Sequence, residues 1–386
     1  MAPSQSLGKL QGLATTASGE RLWIYGISGI AGLFDLGLAL GQPPDRSKLV
    51  TDKAPSRLIF QRRRAKRTAG GCRYYEAALA FKPIVDRLSR SRTVIRVRAL
   101  RNQIVYKIFE YRGRTSGRLL AKELQNAGTS RVCITIAFNV PWVIDALTKA
   151  WEMQSPGMTL VVVDNSTKVA AREAIARICK LRGVPYLALP MRVEKHLSRS
   201  HGTAITWAFH NIVRHLKPEL FGFIDHDCFP VAPFDIPSRL AGKTVYGRRA
   251  YGTENHVYKA KPDDRHWNLW AGYCFYRFSA VAAYELNFEP RINLGLDTGG
   301  ANWAILYSKL AETDVAVATV EQRPMTMAGA VGHHEFIEGA FFHLAGVSYP
   351  ERPGYHHRSA EHRQMLRDYV WNTYLGGPAG QAVSDF

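Results

Sequence analysis

The sequence predicts an α/β protein: a mostly parallel sheet flanked by helices, preceded by a basic N-terminal extension. Three observations predict it. From Arg131 onward, short apolar runs rich in β-branched residues alternate with segments of helical spacing. The excess positive charge is confined to the first third of the chain. Acidic residues close two of the apolar runs. Strands alternating with helices of this length specify parallel pairing with both sheet faces covered.

Residues 132–138 (VCITIAF) read as the first buried strand. Residues 141–154 follow with helical spacing, and Pro141 suits a first helical turn. Next come a strand at 160–163 (LVVV), a helix at 166–182, a strand at 184–189, a helix at 200–216 and a strand at 220–224. In such sheets ligands bind beyond the carboxyl ends of the strands. Upstream, residues 74–88 and 104–125 read as basic helices, the second broken near Gly113. The expected division is an extension over 1–128, partly disordered or helical, an α/β domain over 129–350, and a C-terminal helix and tail over 351–386.

Composition fits this plan. A chain of 386 residues, 46% hydrophobic and 11% aromatic, suffices for one large domain or two modest ones. Its five cysteines form no CxxC pair, which reads as reduced thiols in a cytoplasmic protein. The net charge of +19 suggests nucleic acid until the chain is divided. Residues 1–130 carry 24 Lys+Arg against 8 Asp+Glu, whereas 131–386 carry 27 against 24. The α/β part is therefore nearly neutral, and no nucleic-acid partner is expected for it.

Residues 22–40 are apolar and close to the ~20 needed to span a bilayer, but Asp35 and four glycines argue against a membrane helix. Residues 42–70, with the run Gln61-Arg62-Arg63-Arg64-Ala65-Lys66-Arg67, read as a solvated tract. The same run could instead touch an anionic membrane, which would place the protein peripherally at its inner face.

Chemistry gathers at two strand ends. Asp164, with Asn165 beside it, closes VVVDNS, where a carboxylate can bind a ribose or base N–H or can cap the next helix. FGFI then runs into Asp225-His226-Asp227. Two carboxylates one residue apart after a buried strand can share a hard cation, Mn2+ or Mg2+, completed by water and phosphate. Such an ion neutralises charge on a departing diphosphate.

The order VVVDNS, then Ser198-Arg199-Ser200-His201-Gly202 opening a helix, then FIDHD, resembles the GT-A glycosyltransferases, in particular the large family 2. The resemblance covers roughly residues 131–345. It implies a Rossmann-like nucleotide-diphospho-sugar transferase fold, with Asp164 at the nucleoside and Arg199, His201 and Gly202 lining the donor pocket. It also implies Asp225 on ribose or metal and Asp227 as the principal metal ligand. His226 occupies the variable middle position and receives no role.

By the same likeness, Trp267, Trp270 and Gly272 (WNLWAGY) would form an acceptor-side strand, although the two tryptophans could equally be core. Asp297, in Leu296-Asp297-Thr298-Gly299-Gly300, is the candidate base for an acceptor hydroxyl, or else a helix cap. The residue before it is leucine, where the family often has a second acid. His343, on an apparent short strand, could be a third metal ligand, a phosphate contact or a satisfied core histidine; the same caution applies to His333, His334, His356 and His357.

The expected function is metal-dependent transfer of a sugar from a nucleotide-diphosphate sugar to a saccharide or lipid-linked acceptor. Inversion is implied by the resemblance alone. A sugar-phosphate nucleotidyltransferase is one alternative, although Asn139-Val140-Pro141-Trp142 after the first strand lacks that class's glycine-rich phosphate loop. A non-catalytic protein binding nucleic acid or a membrane surface through the basic N-terminus is the other.

Overall fold

The computed structural model describes residues 11–15, 21–25, 92–191, 196–252, 265–327, 330–344, 347–348 and 360–377. The expected helix at 74–88, the arginine-rich tract, most of 22–40, and His356 and His357 lie outside them. The chain divides into two compact units, 1–78 and 79–386. In the first, β1 (Gln11–Thr15) and β2 (Arg21–Tyr25) pair antiparallel, with Leu13 opposite Trp23.

The second unit contains more than the sheet domain. Among the described residues its first helices are α1 (Arg92–Tyr111) and α2 (Arg114–Asn126), broken at Gly113, which adopts φ 72°. They pack on the body of the unit, so the boundary expected at residue 128 falls inside it. The Trp207 indole N–H donates to the Arg112 carbonyl at 2.8 Å, and the Asn211 amide donates to the Glu110 carbonyl at 3.1 Å.

The alternation expected from sequence follows: β3 (Arg131–Ala137), α3 (Pro141–Gln154), β4 (Thr159–Asp164), α4 (Val169–Leu181), β5 (Tyr186–Ala188), α5 (Leu197–Ala208) and β6 (Leu220–Asp225). The helix expected to run unbroken over 200–216 passes into a π-turn at Phe209–Val213. There the Asn211 amide also bonds the Trp207 carbonyl at 3.1 Å.

Beyond β6 lie β7 (Cys228–Pro230), β8 (Val245–Tyr251), β9 (Trp267–Arg277), β10 (Val315–Val317), β11 (Val320–Met327), β12 (Ala330–Ile337), β13 (Phe341–His343) and the helix α6 (Ala360–Tyr374). The main sheet has the order β10-β8-β9-β6-β3-β4-β5. Its pairings are parallel except those of β9, which is antiparallel to both β6 and β8. This is the mostly parallel, helix-flanked α/β architecture that the sequence predicts.

Two apolar layers cover the sheet. Phe221, Phe223, Trp207 and Phe288 lie in one, and Trp142, Leu147, Phe275 and Phe341 in the other. After β5 the chain crosses from the β4 side of β3 to the opposite side, so β3 and β6 flank the switch point. In open α/β sheets the crevice at that point receives ligands. Asp225 ends β6 there, opposite Ile136 of β3.

A second sheet, β11-β12-β13-β7, was not expected from sequence. Its β7 strand starts immediately after Asp227 and pairs with β13, setting His343 opposite Cys228. A backbone bond from Leu344 N–H to the Asp227 carbonyl at 2.9 Å closes the junction. This pairing carries a residue more than a hundred positions downstream to the acidic strand end.

Candidate active site

Asp225, Asp227 and His343 each offer one ligand atom, and these atoms lie within 4.8 Å of one another. His343 Nε2 stands 3.7 Å from Asp227 Oδ1. On the other side, His201 Nε2 lies 3.5 Å from Asp225 Oδ1, an enclosed oxygen with no hydrogen bond. A buried carboxylate oxygen left this way is costly unless a cation or donor completes it. Burial pushes the Asp225 carboxyl above its ordinary range; nearby His201 opposes the shift, and Asp227 adds to it. Two carboxylates, one of them with an orphaned oxygen, and one imidazole fit a single divalent cation.

His343 is itself held. His343 Nδ1 lies 3.0 Å from Glu335 Oε2, leaving Nε2 toward the acids. Arg248 binds the same carboxylate through both terminal nitrogens, at 3.1 Å and 3.0 Å. Its guanidinium lies 5.0 Å above the Trp270 ring, whose centroid is 4.7 Å from that of His343. Metal-binding histidines characteristically give their second ring nitrogen to a carboxylate in this way.

His226 has a role that sequence reasoning did not assign. Phe138 N–H donates to its Nδ1 at 3.1 Å, and its Nε2 lies 2.6 Å from Ser348 Oγ. Burial holds its pKa below the ordinary value. A neutral ring accepting at Nδ1 carries its proton on Nε2 and donates it to Ser348. The residue thus ties the end of β3 to the segment beyond β13. Glu335, Arg248 and Ser348 were missed for the same reason: each acts through pairings that link distant parts of the chain.

Asp164 requires a correction. It ends β4 as expected but is fully buried, with Oδ1 accepting Ser166 N–H at 2.8 Å and Oδ2 accepting the Tyr186 hydroxyl at 2.8 Å. The carboxylate serves the turn after β4 and presents no surface to a nucleoside. Its neighbour Asn165 does face the cleft and donates to Ser200 Oγ at 3.0 Å. His201 joins the same lining.

Arg199, half-buried in the first turn of α5, gives its backbone N–H to His196 Nδ1 at 3.4 Å. Gly202 has no room for a side chain, because a Cβ there would overlap the Phe288 carbonyl.

The two tryptophans separate, as odd spacing along a strand requires. Trp267 is a core residue, with its ring 5.0 Å from that of Tyr307 and covered by Arg249 at 4.4 Å. The expectation that it meets the acceptor is therefore overturned. Trp270 stays half-exposed beside His343. Gly272 keeps that corner open: a Cβ there would stand 2.6 Å from Asp225 Oδ2.

Asp297 sits in a turn fixed at both ends. Its Oδ1 accepts Thr298 N–H at 2.8 Å, the Thr298 carbonyl accepts from Asn268 at 3.1 Å, and the Thr298 hydroxyl reaches the Ser198 carbonyl at 3.3 Å. The turn therefore abuts the first turn of α5, which carries His201. His334 belongs elsewhere, buried on β12 with its ring 5.3 Å from that of Phe342.

No protein-family profile and no curated protein sequence matches this chain. Several solved structures are similar to it. The WbbM bifunctional glycosyltransferase, in its apo form, aligns with TM-score 0.32 and 11% identity over 49% of this chain and 38% of that one. Glucosyl-3-phosphoglycerate synthase from Mycobacterium tuberculosis, with Mn2+, UDP-glucose and phosphoglyceric acid, aligns with TM-score 0.33 and 14% identity over 51% and 71%. The galactosyltransferase LgtC, with donor and acceptor sugar analogues, aligns with TM-score 0.33 and 15% identity over 61% and 95%.

Proposed function

We propose that this chain transfers a sugar from a nucleotide-diphosphate sugar to an acceptor hydroxyl, using a divalent cation held by Asp225, Asp227 and His343. The observation that carries the reading is the convergence of these three ligand atoms within 4.8 Å at the switch point of the sheet. A cation held there would neutralise charge building on the departing diphosphate. Mixed carboxylate and imidazole ligation favours Mn2+ over Mg2+.

The chain's own residues supply the rest. Asn165, Ser200 and His201 line the cleft and are assigned to the donor. Trp270 offers a half-exposed aromatic face for an acceptor sugar. Asp297, oriented by Thr298, is assigned to take the acceptor's proton as its oxygen attacks the anomeric carbon. Direct displacement then inverts the configuration. Cys133, Cys179, Cys228 and Cys274 are all free and buried, which suits a reducing compartment, so we assign the protein to the cytoplasm.

A melting-temperature panel with UDP, GDP, dTDP and CDP and their sugars, with and without Mn2+, tests the reading. Ligands that bind the native state raise the midpoint by mass action. The expected result is a shift with one nucleotide that requires Mn2+ and disappears in Asp227→Ala. Transferase turnover at the wild-type rate in Asp227→Ala would refute it.

A further inference from the structure

Helix α1 presents an apolar stripe to solvent. Leu100, Ile104, Ile108 and Tyr111 recur at intervals of four, four and three, the spacing of a single helical face. They are 58%, 54%, 58% and 65% exposed. Val105 widens the stripe, and Leu119 of α2 is also exposed. The opposite side is seated, with Phe109 only 4% exposed. A helix with an apolar face in water at this density needs a partner.

The surrounding charge says which kind. Residues 92–126 contain nine Lys+Arg and two Asp+Glu. Arg101, Lys107, Arg112, Arg114 and Arg118 are exposed around the stripe. Of the two acids, Glu110 is paired with Lys107 at 2.8 Å. The Arg114 guanidinium lies 4.5 Å from the Tyr111 ring centre, placing a cation at the rim of the apolar face. Apolar side chains framed by long basic ones suit the boundary between acyl chains and anionic headgroups, where the stems bury and the charges reach phosphate. An anionic protein or nucleic acid would use the charges but leave the exposed isoleucines without purpose.

The stripe is also fixed to the body of the unit. Besides the bonds from Trp207 and Asn211, a Cβ on Gly117 would lie 2.9 Å from Asn211, so α2 packs closely against the turn after α5. A Cβ on Gly113 would lie 3.1 Å from Pro190, just beyond the carboxyl end of β5. The stripe thus ends beside the outermost strand β5, on the carboxyl side of the parallel strands where the candidate site also lies.

We propose that the exposed face of α1 docks this protein on a bilayer carrying anionic headgroups. Docking seats Leu100, Ile104 and Ile108 among the acyl chains, while Arg101, Lys107 and Arg114 engage phosphate. The proposal is independent of the cation site and of the reaction assigned to it.

Co-sedimentation of the full-length protein with phosphatidylcholine vesicles, with and without phosphatidylglycerol, tests it. The wild type is expected to bind only the anionic vesicles, and to be released by salt. The triple variant Leu100→Ser, Ile104→Ser, Ile108→Ser should keep its melting temperature and bind at least roughly ten-fold more weakly. A second variant, with Arg62, Arg63, Arg64, Lys66 and Arg67 changed to glutamine, should retain stripe-dependent binding. The proposal is overturned if the wild type ignores anionic vesicles, or if the triple variant binds them as the wild type does. It is equally overturned if the serine changes alter only self-association in sedimentation, which would assign the stripe to a second copy of the chain.

Discussion

Glu335 Oε2 lies 3.0 Å from His343 Nδ1, and the opposite nitrogen of that ring faces Asp227 at 3.7 Å. Glu335 fixes the ring so that Nε2 is the atom offered to a cation, while Arg248 fixes Glu335. Replacing Glu335 with glutamine keeps the shape and removes the charge. Mn2+ affinity, read by titration calorimetry without any nucleotide, should fall roughly 10–100-fold in Glu335→Gln. Unchanged affinity would mean that packing against Trp270 alone positions the imidazole.

The same pair predicts a pH dependence. Burial opposes the charged form of His343, but the bond to Glu335 and the nearby Asp227 prevail and raise its pKa above 6.5. Burial likewise opposes ionised Glu335, and the bond and charge of His343 prevail to hold it below 4.5. The histidine's contribution to stability is complete below its unfolded pKa and is lost as pH rises through the raised folded one. The glutamate's contribution is present above its unfolded pKa and is lost as pH falls through the depressed one.

Metal-free protein therefore gains most from this pair in mild acid, where Mn2+ must displace the histidine's proton. Between about pH 5 and 8 the Mn2+-induced rise in melting temperature should grow with pH. In EDTA, the margin of the wild type over Glu335→Gln should shrink as pH rises above neutrality. A Mn2+ shift of constant size over that range would contradict this assignment.

Much of this arrangement was legible in the sequence because local pattern determines it. The period of apolar residues located β3, β4 and β6, and α3 has the bounds its spacing predicts. The FGFI run announced Asp225 and Asp227 at a strand end. What stayed hidden depends on long-range pairing. Glu335 meets His343 only because β12 and β13 form a hairpin through Glu338, Gly339 and Ala340. Glu338 and Gly339 take φ 56° and 64°, a left-handed turn that an acidic-Gly pair between FI and FF could have signalled. Trp267 and Trp270 are alike in sequence, and only the strand's alternation sends one to the core and the other to the side of His343.

Gly272 gives a steric test of the cleft. An alanine Cβ would stand 2.6 Å from Asp225 Oδ2 and overlap the Trp270 ring, so one of these side chains must move. Gly272→Ala should therefore weaken Mn2+ binding while the melting temperature falls by no more than the few degrees that overpacking of about 1–3 kcal/mol produces. Wild-type Mn2+ affinity in this variant would show that Asp225 is not a ligand, or that Trp270 alone yields.

The cysteines give a prediction about the core. Burial pushes the Cys179 and Cys274 thiols up to about 12, and it raises Cys133 and Cys228 well above their ordinary value. A thiol so far from ionised is a poor nucleophile. Ellman's reagent should therefore titrate no more than one of the five thiols in the folded protein, and all five in guanidinium. Rapid reaction of a second thiol without denaturant would mean that one face of the sheet opens readily.

Asp164 is the position at which ligand and structural roles can be separated directly. In the structure its second oxygen is occupied by the Tyr186 hydroxyl at 2.8 Å. Burial, followed by the charge of Asp164, keeps that hydroxyl protonated and donating. Tyr186→Phe removes the donor and leaves a buried carboxylate oxygen unsatisfied, at a cost of about 1.5–3 kcal/mol in stability. A purely structural Asp164 predicts a lower melting temperature and unchanged nucleotide affinity. If Asp164 instead turned to a nucleoside on binding, it would first have to break the bond to Tyr186. The same substitution would then tighten nucleotide binding as it destabilised the free protein. Melting curves of Tyr186→Phe with and without the nucleotide found in the panel distinguish these outcomes, and the observed burial predicts the first.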